Sequence, residues 1–380
     1  MRIVPINLIP DGSQLAKTLY SSDGRVLLRA GITLDGSKLS RASQMGFKSL
    51  YINDGFSTNT IDDLIDPQTR VRSVKQVKES YDAFENYAQE SNKGQSNQWK
   101  LSEMRYEYLS GVKNTAQDIV DVLLNKKSIT INIQDVKQME EYLYQHTVNV
   151  AVLSVLLGMD QGLTEEDLEN LAIGALFHDI GYNFISKSIL NKPAPLINKE
   201  WEEIKTHANL GYQHLKDDVD INSHIRMIVL QHHEWINGSG YPHGLTADNI
   251  HHLSKIVAIA DVYDALTSDR PYRAALPANE AIEFLLGHAN QQLDENLVKS
   301  FIKLIIPYPV GTLVKLSNGE IGLVERLYEN FPLRPVIKVI RQLATTVEMV
   351  EIDLMKEQNI VIEGVQYELP NYSVGKYVKE

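Results

Sequence analysis

The sequence predicts a mainly α-helical protein with a small strand-bearing unit at each end, and three observations carry that prediction. Apolar residues keep helical spacing from Ile133 to about Ile306. All eleven histidines fall inside that stretch, from His146 to His288. Runs of β-formers separated by turn residues occur only outside it, near the two ends.

Taken in order, residues 1–60 contain short apolar runs interrupted by turn signals. Asp23-Gly24 precedes Arg25-Val26-Leu27-Leu28, and Asn53-Asp54-Gly55 follows Leu50-Tyr51-Ile52. A small α+β or β-rich accessory unit is expected there. Residues 61–132 are polar with helical spacing and are broken by the loop-forming run Ser91 to Asn97, so a helical linker region with a flexible insert is expected. Residues 133–306 form the helical bundle. Beyond Pro307 the pattern returns to strands over residues 307–380. Thr312 to Leu316 and Ile321 to Val324 flank Ser317-Asn318-Gly319, and Pro335 to Ile340 reads as a further strand.

Composition narrows the chemistry. The 380 residues suit two or three domains, and 43% hydrophobic with 23% charged residues is ordinary for a folded protein. With no cysteine there are no disulfides, thiol nucleophiles or thiolate metal ligands, so any metal must be held by nitrogen and oxygen. A formal net charge of −12 argues against a DNA or RNA polymer as partner, because such surfaces need clustered positive charge. An anionic substrate would need local cations. No apolar leader and no run long enough to span a membrane is seen, and a soluble, cytoplasmic protein is expected.

The helical segment gathers ligand-type side chains at the ends of apolar stripes. His146 shares a face with Val150, Leu153 and Leu157; His178 and Asp179 continue the stripe of Leu168, Leu171, Ala172 and Ala175. Ile225, Ile228 and Val229 lead into His232 and His233, Leu253, Ile256, Val257 and Ala260 lead into Asp261, and His207 opens a short helix with Leu210. A single inward histidine is more often a hydrogen-bonded core residue than a ligand. Several imidazoles and two carboxylates pointing into one core would instead leave it full of unsatisfied polar groups unless a cation gathers them. Imidazole and carboxylate suit iron, manganese, nickel or zinc. Six or seven ligands exceed the needs of one tetrahedral ion, which favours two divalent metals. Asp179 could bridge them, and a hydroxide held between them would be a nucleophile at neutral pH.

The motifs His178-Asp179-Ile180-Gly181, His232-His233-Glu234, Gly238-Ser239-Gly240-Tyr241-Pro242 and the run from Ala260 to Arg273 resemble the HD-GYP phosphodiesterase family, over about residues 140–300. The resemblance implies an HD-superfamily helical bundle that hydrolyses cyclic di-GMP to linear pGpG or GMP. It implies that His146, His178, Asp179 and Asp261 hold one metal and that Asp179, His207, His232 and His233 hold the other, with iron or manganese expected. Gly240, Tyr241 and Pro242 would shape the pocket mouth, and Arg270 and Arg273 would contact phosphate or guanine. The remaining six histidines match no ligand position.

Two positions depart from the family pattern. Where the family usually has lysine after His-Asp-Ile-Gly, this chain has Tyr182, a candidate substrate contact that can donate a hydrogen bond but supplies no charge at neutral pH. Where members with a third metal have glutamate, this chain has Tyr142; the adjacent Glu141 lies about 100° round the helix. The first departure keeps open a second function, a cyclic-dinucleotide receptor or interaction protein with a retained metal site. The flanking units would then regulate activity or mediate contact with a second copy or a signalling protein.

Overall fold

The computed structural model describes residues 2–21, 25–53, 64–91, 97–126, 142–190, 192, 194–268, 275–328, 330–342 and 347–367. The turn signals at Asp23-Gly24 and Asp54-Gly55, most of the insert after Ser91 and the start of the helical segment at Ile133 lie outside them.

The N-terminal unit carries β1 (Arg2–Pro5), β2 (Gln14–Leu15), β3 (Leu19–Tyr20), β4 (Val26–Leu28), helix α1 (Gly36–Gln44) and β5 (Ser49–Asn53). Strands β1 and β2 flank β5 in an antiparallel sheet, and β3 pairs with β4. Helix α1 starts where the Asp35 carboxylate accepts from the Lys38 N–H, satisfying an otherwise orphaned donor. Val4, Leu15, Leu34, Leu50 and Ile52 close a small core of their own.

Two long helices follow, α2 (Pro67–Ser91) and α3 (Gln98–Leu124). The Asp66 carboxylate accepts from the Gln68 and Thr69 N–H groups at the start of α2, and Asn97 caps α3 through the Trp99 N–H. Their apolar faces, with Val77, Tyr81, Phe84, Tyr108, Val112 and Ile119, join the same core as the helices that follow.

The bundle continues with α4 (Tyr142–Asp160), α5 (Glu165–Phe177), a 3-10 turn (Ile180–Phe184), α6 (Lys187–Leu190), α7 (Asn198–Lys205), α8 (His207–Leu215), α9 (Ser223–Gln231), α10 (His252–Thr267), α11 (Ala278–His288) and α12 (Glu295–Leu304). Helix α4 is buried on every side from His146 to Gly158, the signature of a central helix, and α2, α3, α5, α10 and α12 pack round it. Thr164, Asn222 and Asp294 cap α5, α9 and α12 by accepting backbone N–H bonds, so three helix starts are written locally in the sequence.

The C-terminal module is one antiparallel sheet of β6 (Leu313–Leu316), β7 (Ile321–Arg326), β8 (Val336–Gln342), β9 (Val347–Asp353) and β10 (Ile362–Val365), in the order β10-β6-β7-β8-β9. The expected hairpin is β6–β7, with Leu313 opposite Leu323, and the expected later strand is β8. The sheet closes over Tyr308, Val314, Leu316, Val324, Ile337 and Val339. Two side chains tie it to the rest: Leu333 also packs on the helical core, and Tyr367, just past β10, packs against the N-terminal core. The architecture is therefore mainly helical, with a strand-bearing unit at each end. No helix among the described residues is long and apolar enough to cross a membrane.

Candidate metal centre

Each imidazole of the site is fixed by its local backbone. His178 and His232 are the residues that end α5 and α9, and His207 is the first residue of α8. In all three, Nδ1 lies against the carbonyl three residues back: Ala175 at 2.6 Å, Val229 at 2.9 Å and Ile204 at 2.7 Å. A carbonyl can only accept, so Nδ1 carries the proton and the Nε2 lone pair is left facing the interior. His146, on α4, reaches the same end differently. Its Nδ1 donates to Asp264 Oδ2 at 2.7 Å, and its Nε2 lies 3.1 Å from Asp261 Oδ1.

These lone pairs converge on Asp179. One carboxylate oxygen is 3.2 Å from His178 Nε2 and 3.9 Å from His146 Nε2; the other is 3.4 Å from His207 Nε2 and 3.9 Å from His232 Nε2. His233 completes the ring, with Nδ1 3.7 Å from Asp261 Oδ2. Two donor groups result, His146, His178 and Asp179 on one side and Asp179, His207, His232 and His233 on the other, with Asp179 common to both. The seven residues singled out from the sequence are thus brought together from five helices and the segments that follow them.

The arrangement suits a divalent metal and little else. His178 Nε2 is buried with no hydrogen-bond partner. The Nε2 atoms of His207 and His232 lie 3.2 Å apart, and with both protons committed to backbone carbonyls the pair is two lone pairs facing each other. Proton affinities point the same way. Burial, reinforced by neighbouring imidazoles, pushes His232 and His233 well below the usual imidazole range, so both are neutral donors. Burial favours a neutral Asp179, but His178, His207 and His146 overcome it and hold its carboxyl well below the usual carboxylate range. Burial also opposes charge on His146, yet Tyr142, Asp261 and Asp264 lift its proton affinity well above the usual value. The same carboxylates would favour a divalent cation at Nε2 in competition with the proton.

The substrate-side predictions divide. Tyr182 lies flat against His207, with ring centroids 4.3 Å apart and planes 26° apart. Tyr241 covers His233 at 4.6 Å and turns an edge toward His207 at 6.3 Å. Gly240 is where it is because a Cβ there would sit 2.3 Å from the Trp235 nitrogen and 2.5 Å from the His233 carbonyl oxygen. Pro242 is half-buried beside Tyr241. Arg270 and Arg273 lie outside the described residues. Tyr142, the other departure, stacks on His146 with centroids 5.5 Å apart and planes 13° apart.

Four residues that the sequence motifs leave without an assigned role, Asp264, Asn149, Ser268 and Glu234, support the site. Asp264 is buried and accepts from His146, from Asn149 Nδ2 at 2.9 Å and from Ser268 Oγ at 3.0 Å. Glu234 is buried and accepts from the His243 N–H at 2.6 Å and the Leu245 N–H at 2.9 Å, which braces the loop carrying Tyr241. Asp264 stands one helical turn after Asp261 on α10 and Asn149 one turn after His146 on α4, so both face the side of their helix that carries a site residue, and Asp264 meets His146 across the two helices.

The chain is similar to several known proteins. Residues 131–297 match the HD domain family, and residues 313–367 match the family described as a KOW domain associated with HD domain. Among curated proteins, the chain is 34% identical over 228 residues to cyclic di-GMP phosphodiesterase PA4108 of Pseudomonas aeruginosa, covering 59% of this chain and 55% of that one. It is 32% identical over 195 residues to cyclic di-GMP phosphodiesterase PdeB of Borreliella burgdorferi, covering 51% of each. It is 35% identical over 153 residues to 3'3'-cGAMP-specific phosphodiesterase 3 of Vibrio cholerae, covering 40% and 33%. The chain thus spans between a third and just over half of the length of these relatives. Among solved structures, an HDG"Y"P protein from Bdellovibrio bacteriovorus, Bd1817, aligns over 79% of this chain and 97% of its own, at 18% identity and a TM-score of 0.43. The helical core with its paired His-Asp donor groups is an HD domain. With His178-Asp179-Ile180-Gly181 and Gly240-Tyr241-Pro242 in place, the domain at residues 131–297 is of the HD-GYP type.

Proposed function

We propose that this protein is a metal-dependent phosphodiesterase that hydrolyses cyclic di-GMP. The observation that carries the reading is the shared position of Asp179 between two groups of buried imidazoles, three of which, His178, His207 and His232, have Nδ1 tied to a backbone carbonyl and Nε2 turned toward that carboxylate. His146, His178, Asp179 and Asp261 would hold one divalent ion and Asp179, His207, His232 and His233 a second, with iron or manganese the pair proposed. Bound there, the ions would supply Lewis acidity, making water a better nucleophile and offsetting charge on the phosphoryl oxygens.

The chain's own residues do the rest. Asp179 and Asp261 stay ionised and neutralise the cations; the backbone carbonyls behind His178, His207 and His232 keep those rings from turning. Tyr241 is buried enough that its phenol stays protonated, so it offers an O–H and a ring face, not an anion, to a nucleotide at the site. In the reaction the oxygen of water bonds to phosphorus, the bond from phosphorus to the 3' oxygen breaks, and that oxygen takes up a proton. The product is linear pGpG, and a second round gives GMP. The relatives named for cyclic di-GMP and for 3'3'-cGAMP support a cyclic dinucleotide as substrate class.

Tyr182 supports a second reading. It stands at the family's lysine position and supplies no cation, which suits a receptor that binds cyclic di-GMP and retains its metals without efficient cleavage. In either case we propose that the units at about 1–60 and 307–380 regulate the bundle or its assembly, and their contact through Tyr367 supports treating them as linked. Incubating the protein with cyclic di-GMP, 3'3'-cGAMP and pGpG in parallel tests the substrate assignment. Cleavage of cyclic di-GMP to pGpG faster than the other two is expected, and a clear preference for 3'3'-cGAMP would replace the assignment.

A further inference from the structure

The support of His146 does not end at Asp264. Asn149 donates through Nδ2 to Asp264 Oδ1 at 2.9 Å, and its Oδ1 accepts from the Arg70 guanidinium. The amide is therefore used at both ends, and its orientation is set by the charges on either side: a cation against its oxygen and a carboxylate against its nitrogen-borne protons. Asn149, Asp264 and Ser268 are all buried, so no solvent competes for these bonds, and Arg70 is half-buried at the outer end. A continuous line of hydrogen bonds runs from Arg70 through Asn149 and Asp264 to His146 Nδ1, and the opposite nitrogen of that ring faces the metal centre.

Arg70 lies in the first turn of α2, 61 residues before the start of the segment that matches the HD domain family. The same helix touches the site a second time. Tyr81 donates to the carbonyl of Leu176, two residues before His178, and its own carbonyl accepts from Asn183 in the 3-10 turn after Asp179. Helix α2 thus grips both sides of the His146, His178 and Asp179 donor group, and among the described residues it is the first helix after the N-terminal sheet.

We propose that Arg70 is a positioning residue for His146, acting through Asn149 and Asp264, so that the placement of α2 against α4 sets how firmly that imidazole holds a metal ion. The proposal rests on the metal-site part of the reading above and not on the hydrolysis. Neutralising Arg70 removes the charge that orients Asn149. Asp264 is then held less well, and His146 gains freedom to tilt away from its donor geometry, an effect transmitted without any contact between Arg70 and the metal.

Titration of the full-length apoprotein with Mn2+, read by elemental analysis and by the electron paramagnetic resonance of bound against free Mn2+, tests this. Arg70→Met should weaken one Mn2+ by about three- to tenfold, short of the roughly 10- to 100-fold expected on losing a direct partner of a ligand, and leave the other unchanged. Arg70→Lys should restore most of the loss. In an Asp264→Asn background Arg70→Met should add nothing, since the line is already cut. Equal Mn2+ affinities in Arg70→Met and the parent protein, an additive effect in the Asp264→Asn background, or equal weakening of both ions with no recovery in Arg70→Lys would each overturn the proposal. Absence of cyclic di-GMP hydrolysis with the Mn2+ difference intact removes the hydrolytic reading alone. A parent protein that takes up no Mn2+ removes both.

Discussion

Tyr182 lies stacked on the ring of His207, centroids 4.3 Å apart, at the position where the family pattern has a lysine. The residue has exchanged a charge for a packing surface: it buttresses one of the site's imidazoles and brings no ammonium toward a substrate phosphate. Tyr182→Lys should therefore raise kcat for cyclic di-GMP by about tenfold, the size of one charge-assisted hydrogen bond of roughly 1.5 kcal/mol, with a small loss in metal affinity as the stack is removed. Steady-state kinetics at saturating Mn2+ check this. An unchanged kcat would show that the missing cation does not limit turnover.

The loop bearing Tyr241 is held by contacts that leave no room at Gly240, where an added Cβ would fall 2.3 Å from the Trp235 nitrogen and 2.6 Å from the Glu234 Cα. Both neighbours are backbone and cannot step aside as a flexible side chain could. Gly240→Ala should displace the loop and lift Tyr241 from His233, lowering kcat/KM at least tenfold, about 1.4 kcal/mol, while both Mn2+ ions are retained. Metal loss in step with the activity would show that the loop is part of the metal scaffold and not of the substrate site.

Acid should release the metals in two stages. Burial keeps His232 and His233 well below the usual imidazole value, so protons compete for them only as pH falls past that lowered range. His146 and His178 are shifted the other way: burial opposes their charge, but Tyr142, Asp261 and Asp264 around His146, and Asp179 beside His178, raise both. A group with a raised affinity is already protonated at a higher pH, so the ion at His146 and His178 should be lost first and the ion at His207, His232 and His233 second. Mn2+ stoichiometry measured from pH 8 down to pH 5 reads this directly; simultaneous loss would contradict it.

The seven clustered residues were legible as candidates because each is a ligand-type residue placed by helical spacing on an apolar stripe, and because the motifs recur in a known order. Strands β6 and β7 were legible from Ser317-Asn318-Gly319 between two β-forming runs and β8 from its own apolar run, whereas β9 and β10 were not read. Asp264 and Asn149 carried a weaker signal, one turn from Asp261 and His146, but an Asp or Asn at such a position serves equally well as a surface residue until its burial is known. Arg70 carried none: it meets Asn149 across 79 positions, a contact set by the packing of α2 on α4 and not by any local pattern. The burial of α2 and α3 in the bundle core was hidden for a similar reason, since their polar outer faces dominate the composition of residues 61–132.

The proposed hydrolysis turns on Asp179, which is shared by two donor groups. Product analysis by chromatography, after incubation with cyclic di-GMP and Mn2+ or anaerobic ferrous iron, sets the intact protein beside Asp179→Ala. The account predicts pGpG or GMP from the intact protein and none from Asp179→Ala. An intact protein that binds both metals and the nucleotide yet forms no product would contradict it and establish the receptor reading in its place.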